Sequence, residues 1–564
     1  MRVNSRAMAI AGISAAALVA TACGGGDSSS DSGSGGGEGQ AGGSFSIHGC
    51  TPQNPLVPGN TNETCGGNIL DAVTAKLVHY NPETAEPEND LAESIETEDN
   101  QTFTVKLKEG RKFSDGTDVT AKSFVDAWNW NRAGKNATLS SYFFDVIDGA
   151  ADMDCGTKKE KDKESGEMVD VPDCEGSPAK ADEMSGLKVV DDTTFTIKTT
   201  EKVSNLPVRL GYTAFAPLPE SFFEDDGKAF GDKPVGAGPY MVKTYDKGQQ
   251  VVLEKNPEYT GDFAGNADEV TFKFYQDTDA AYKDVQAGTL DILDQLPTSA
   301  LAGKKYEGDL PDRTEQKATG VFQSISFPSP KADKTFEDNL ELRKAISMAI
   351  DRDTIIDKIF AGTRQPATGW VSPAVDGYKE GACGDACTYD KAKAKEMFDQ
   401  AGGYDGTITI SYNADGDHKA WVDATCSSIT DALGVKCVGK SYPDFATMRA
   451  LVTDKKMKGL FRTGWQMDYP SIENFLAPLY GTGAGSNDGD YSSEKFDTLL
   501  KEAAAGEDAE AANTKYQEAE AELANGFPVI PLWYGQAIAG WSDKVDNVKL
   551  TPFGTIDVAT VTVK

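Results

Sequence analysis

Histidine is scarce in this chain, with three in 564 residues (His48, His79 and His418), and no two of them are near one another in sequence. No CxxC pair accompanies them, so a zinc site with its usual ligand spacing is a poor reading, and no metal or cofactor is expected. Missing too are HExxH, a Walker GxxxxGK[ST] loop, a Rossmann GxGxxG after a strand and, in the folded part, a GxSxG elbow. These absences do not exclude an enzyme, but they make one a poor expectation. After the N-terminal segment no run reaches the roughly 18 apolar residues of a membrane span. Basic charge is also short: 55 Lys+Arg stand against 89 Asp+Glu, a net charge of -34. Nucleic acid and anionic lipid surfaces would repel such a protein.

What is present begins with an address. Arg2 and Arg6 precede an apolar stretch, Ala7 to Ala20, and a small-residue site, Ala20-Thr21-Ala22. This is the pattern of a signal peptide over residues 1–22. The following Cys23 resembles the lipidated cysteine of a bacterial lipobox. Residues 23–43, rich in Gly and Ser, read as a flexible tether with a reach of roughly 25 Å. The expected location is the extracytoplasmic face of the cell membrane, held by lipid. Setting Cys23 aside, the other eight of the 9 cysteines form sequence-local couples: Cys50 with Cys65, Cys155 with Cys174, Cys383 with Cys387, Cys426 with Cys437. Eight cysteines allow 105 pairings, and only spacing favours these.

A chain this long exceeds one hydrophobic core and should divide into two or three bodies. Period-two runs such as "TFTVKLKEG", "TTFTIKTT", "QQVVLEKNP" and "EVTFKFYQ" predict half-buried strands. Helices are predicted over "TAKSFVDAWNWNR", "DAAYKDVQAGTLD", "NLELRKAISMAIDRDTIIDKIFAG", "YDKAKAKEMFDQAGG", "SSEKFDTLLKEAAAG" and "AANTKYQEAEAELANG". Cys155 to Met184 is charged and aperiodic, a surface excursion pinned by one disulfide.

Four blocks in order, "GRKFSDGTDVTAKSFVDAWNW", "PVGAGPYMVKTYDKGQQVVLEKNPEYTG", "LRKAISMAIDRDTIIDKIFAG" and "FPVIPLWY", resemble signatures of the family 5 extracellular solute-binding proteins of bacteria. The resemblance implies an α/β, two-lobe clamp of the periplasmic-binding-protein type, with an additional small domain and mixed sheets flanked by helices. On this sequence it implies lobe I over 44–80, 185–300 and 522–564, the extra domain over 81–184, and lobe II over 301–521. It also implies a monomer that captures short peptides between closing lobes for the permease and ATPase of an ABC importer. The same scaffold used for an oligosaccharide, a nickel chelate or haem is the alternative, with a surface hydrolase or signalling receptor as the rival class.

The stretch "RTGWQMD" preserves much of that family's cleft pattern. By resemblance Asp468 pairs with a peptide α-ammonium, while Gly464, Trp465 and Gln466 offer backbone groups to an added strand. Physical chemistry agrees, since an enclosed ammonium needs an opposite charge to offset its lost hydration. The competing reading makes Asp468 the cap of a helix starting at Tyr469-Pro470. Arg462, His418 and Arg449 are placed to face a ligand carboxylate or acidic side chain, with Tyr442, Trp465 and Trp533 as candidate walls. A second strand-like contact is expected from "TPQNP", just after Cys50.

Overall fold

The computed structural model describes residues 42–564 except 53, 62–63, 162–167, 226, 276, 415–417 and 444. The signal segment, Cys23 and the tether up to residue 41 lie outside the described residues.

One large mixed sheet runs through the molecule. In spatial order its strands are Tyr240–Asp246, Gln250–Lys255, Glu269–Phe274, Ser44–Gly49, Ile292–Leu293, Val529–Trp541, Thr314–Ser326, Leu460–Gln466, Thr407–Asn413 and Lys436–Tyr442. Val529–Trp541 is the hinge of this order. It pairs antiparallel with Thr314–Ser326 along most of its length and with Ile292–Leu293 at its end, Trp541 opposite Ile292. Its apolar residues enter three cores: Val529 to Tyr534 pack with the residues of 322–527, Ala537 and Ala539 with Phe45, Leu253 and Val561, and Ile538 with Leu293 and Leu310.

A separate four-stranded antiparallel sheet holds Ala92–Thr97, Thr102–Leu107, Thr194–Lys198 and Leu187–Asp191, in that order. Phe103, Val105, Phe195 and Ile197 are its buried face, packed on Phe124 and Trp128 of the helix Ala121–Arg132. That core continues to Ala237. The second pair of strands in this sheet comes from residues past 185, far along the chain from the first pair. Alternation identifies a strand but not its partner, and pairing is decided by the matching apolar face.

Two further local differences have physical causes. The long helical stretch from Asn339 is two helices, Leu340–Met348 and Arg352–Phe360, each starting on its own cap. Asn339 accepts the Leu342 N–H and Asp351 accepts the Thr354 N–H. The buried Arg352 guanidinium fixes the break by donating to the carbonyls of Ser347, Ile350 and Pro531. The charged excursion contains an antiparallel ribbon, Thr157–Lys161 against Met168–Pro172. The Cys155–Cys174 disulfide closes its base.

The other cysteines join as Cys50–Cys65, Cys383–Cys387 and Cys426–Cys437, and Cα separations across the four bridges run from 4.8 to 5.8 Å. The body around the four-stranded sheet is tied to the 322–534 body by a buried pair, Arg209 with Glu473 at 3.3 Å. Glu473 also accepts from the Tyr469 hydroxyl at 2.6 Å and from Asn205 at 3.1 Å, and Tyr469 inserts into the four-stranded sheet's core.

Candidate functional site

Leu460–Gln466 lies antiparallel to Thr314–Ser326, with Trp465 opposite Phe322 and Gly464 opposite Gln323. On its other side Thr407–Asn413 runs parallel but, among the described residues, pairs with it only at Leu460 and Phe461. From Thr463 to Gln466 the ladder among the described residues lies on one side, with a gap on the other. Arg462 spans the start of the gap, its Nε donating to Asn413 Oδ1 at 2.8 Å. A one-sided strand presents backbone N–H and C=O groups that an extended chain can complete. Gly464 fits because a Cβ there would stand 3.1 Å from the Phe322 carbonyl oxygen.

The strand delivers Gln466, Met467 and Asp468 to the wall of a cavity of about 290 Å³. Asn474, almost fully buried, organises this turn. Its Oδ1 accepts from Trp465 Nε1 at 3.0 Å and from the Asp468 N–H at 2.9 Å, while its Nδ2 donates to Asp468 Oδ2 at 3.1 Å. No cation among the described residues forms an ion pair with Asp468. Burial pushes its carboxyl up to about 6, the Asn474 hydrogen bond opposes this, and the Glu473 charge adds to it. The helix that follows starts at Glu473 with Ile472 as its N-cap. Asp468 therefore receives a side-chain amide rather than the helix's backbone N–H groups, which removes the capping role.

The opposite walls come from far away in sequence and were not found by motif. Asp71 and Lys76 meet at 2.8 Å, and Thr213 Oγ1 donates to Asp71 at 2.9 Å. Burial works against the Asp71 charge, but the Lys76 ammonium and these hydrogen bonds outweigh it and hold the carboxyl low. His79 stacks on Phe263 with centroids 3.9 Å apart. Burial and then the Lys76 charge bring His79 down to about 4, so it is neutral at pH 7. Tyr80 and Tyr212 stand beside both Asp468 and Asp71, and burial, followed by the carboxylates, raises both phenols. The only signal available in sequence was the run of acids and aromatics itself, which does not say that segments near 71, 212 and 468 converge.

Other expected residues sit elsewhere. Gln466 donates to the Phe553 carbonyl at 3.0 Å across the cavity mouth. Arg449 pairs with Asp488 at 2.6 Å. His418 precedes the helix Lys419–Leu433 and accepts from Trp421 Nε1 at 3.1 Å. Trp421 packs edge-on against Trp533, which is a core residue, 3% exposed. Tyr442 lies under the Lys440 ammonium, 4.9 Å from the ring centre. None of Arg449, His418, Tyr442 and Trp533 lines the Asp468 cavity. Residues 51–55 carry no strand among those described, although Thr61 and Thr64 nearby do line it. Among the described residues no group of three or more His, Cys, Asp or Glu is arranged to hold a metal ion, and no helix is long and apolar enough to cross a membrane.

Known proteins are similar along almost the whole chain. The oligopeptide-binding protein OppA of Bacillus subtilis is 25% identical over 506 residues, covering 87% of this chain and 85% of its own length. The dipeptide-binding protein DppE of the same organism is 24% identical over 507 residues, 87% and 86%. The crystal structure of Haemophilus influenzae OppA in complex with RPPGFSPFR superposes with a TM-score of 0.74 at 21% identity, over 93% of this chain and all of that one. That likeness shows the two-lobe fold. The model of the bacterial extracellular solute-binding proteins, family 5 Middle, matches residues 86–487, well over half of the chain. The chain belongs to the family 5 bacterial extracellular solute-binding proteins.

Proposed function

We propose that this protein captures short peptides in extended form and presents them to the permease and ATPase subunits of an ABC importer, performing no chemistry of its own. The α-ammonium of the peptide pairs with Asp468, and its first backbone groups complete the open side of Gly464, Trp465 and Gln466. The observation that carries this reading is a carboxylate raised to about 6, without a cation, at the end of a one-sided strand. An ammonium ion supplies what that carboxylate lacks, and the strand edge supplies sequence-independent affinity. In this reading the far end of the peptide runs towards Arg462, Arg449 and His418, with Tyr442 and Trp533 behind them. Lipid on Cys23 holds the protein, as a monomer, on the extracytoplasmic face of the membrane.

Calorimetry tests the anchor with a tripeptide and its N-acetylated form on the parent and on Asp468→Ala. Acetylation and the substitution should each abolish the same contact, so the two losses should be strongly non-additive. Full additivity in a folded variant would remove Asp468 from the ligand. For the anchor, Cys23→Ser should move the protein from the detergent to the aqueous phase on Triton X-114 partition. Retention in detergent would refute the lipoprotein assignment.

A further inference from the structure

The Asp468 cavity holds more negative charge than one ammonium needs. Its described lining includes four carboxylates, of Asp71, Asp90, Asp468 and Asp557, against one ammonium, Lys76, which Asp71 already engages at 2.8 Å. Asp90 is the anomaly: it is 5% exposed, and among the described residues its Oδ1 has no hydrogen-bond partner. A buried carboxylate oxygen left unpaired is costly, and such groups in native proteins call for an explanation. The Asp557 side chain accepts from the Ala559 N–H at 2.9 Å, and it faces the Asp71 charge as well as Lys76. Burial raises the Asp90 and Asp557 carboxyls, Asp90 in spite of the surrounding charges of Lys76, Arg111 and Lys108. Tyr259 stands beside Asp90 as Tyr80 and Tyr212 stand beside Asp468, so aromatic faces accompany the acids. Aromatic faces and carboxylates together are a surrounding that favours organic cations.

We propose that this cavity is the pocket for the first side chain of the peptide and selects a cationic one, lysine or arginine, whose charge is received by Asp90. The inference rests on the assignment of Asp468 to the α-ammonium, because that contact sets the peptide's first residue at the cavity mouth. The ligand is then a dication at its N-terminal end, with Asp468 taking one charge and Asp90 the other. Lys76 stays with Asp71, and its charge eases the repulsion among the remaining carboxylates.

The test uses Lys-Ala-Ala, norleucine-Ala-Ala and N-acetyl-norleucine-Ala-Ala in calorimetry on the full mature protein and on Asp90→Asn. Norleucine matches the lysine stem without its charge. The parent should prefer lysine over norleucine by about ten- to a hundredfold, the range of a hydrogen bond to a charged group. Asp90→Asn should bring that ratio close to one. If Asp90→Asn does not fold, the parent's own lysine-to-norleucine ratio still decides. Equal affinity for the two peptides, with acetylation still abolishing binding, overturns the cationic pocket and leaves the Asp468 assignment standing. Acetylation without effect, or no peptide binding at all, overturns both. A lysine preference that survives Asp90→Asn overturns the assignment of the second charge to Asp90.

Discussion

Two cavities of nearly equal size flank the Leu460–Gln466 strand and its turn, and they treat acid in opposite ways. The cavity of about 290 Å³ holds Asp468 without a cation and Asp90 with an unpaired oxygen. The other, about 300 Å³, is lined by Thr463 to Trp465, Ser324 and the loop 486–492. Its acids are satisfied: Asp488 by Arg449 at 2.6 Å, and Asp490 by Ser329, Lys331 and Lys455 at 2.7 to 3.0 Å. Burial alone would raise the Asp490 carboxyl, but these hydrogen bonds and charges hold it low. The number of acids therefore says little about where a cation binds. What distinguishes the two cavities is whether the protein has already supplied the counter-charge.

The largest effect should separate the cavities outright. Asp468→Ala leaves a peptide ammonium enclosed without a partner, which typically costs about 2–5 kcal/mol. Affinity for a free-amine peptide should fall roughly 30-fold to several thousand-fold, while Asp490→Asn should change it by less than about threefold. Comparable losses in both variants would erase the distinction.

A second unpaired acid lies outside both cavities. Glu520 is fully buried, its Oε1 accepts the N–H groups of Trp370 and Val371, and its Oε2 has no partner. Burial first of all lifts it to about 7, against the two backbone hydrogen bonds and the Lys379 charge. A carboxyl raised on folding contributes stability that is present below its unfolded value and is lost as pH rises through the folded one. Glu520→Gln should leave stability nearly unchanged at pH 4 and raise it at pH 8, by on the order of 3 kcal/mol. Thermal melts at the two pH values check this, and equal shifts at both would refute it.

Smaller effects of opposite sign should follow at the two cavities in protein purified free of peptide. Asp468 is raised to about 6, so Asp468→Asn should stabilise the fold by on the order of 1–2 kcal/mol at pH 8, with water in the cavity screening part of the charge. The gain should vanish below pH 4. Asp490 is lowered, so its contribution is present above the ordinary carboxylate range and lost as pH falls through its folded value. Asp490→Asn should therefore destabilise at pH 8, by at most about 1 kcal/mol, because its partners are partly exposed. Denaturant melts showing the same sign for both would break the comparison at its root.

Much of the strand side of the site was legible, because Gly464, Trp465 and Asp468 fall within seven residues and carry a recognisable spacing. Asn474, six residues past Asp468, was not legible, because nothing in the sequence says that its amide turns back to Trp465 and Asp468. Asp71, Asp90 and Tyr212 were beyond reach for a different reason. They converge on Asp468 only through tertiary packing, across up to 397 residues from Asp71. The disulfides were legible by proximity, each closing a separation of 4 to 19 residues. The pairing of Thr194–Lys198 with Thr102–Leu107 was not, because an alternating strand fits any complementary apolar face.

Synthesis runs from the N-terminal side, and the Val529–Trp541 strand follows every other strand of the large sheet. Until it arrives, Thr314–Ser326 is paired only with Leu460–Gln466 and Ile292–Leu293 only with Ser44–Gly49 among the described residues, and three separate cores each lack apolar residues. The strands on each side can pair among themselves behind the advancing chain, but the two halves of the sheet are not joined until this strand arrives. A single late strand thereby acts as a timer. The pieces it joins become one sheet only once it is in place.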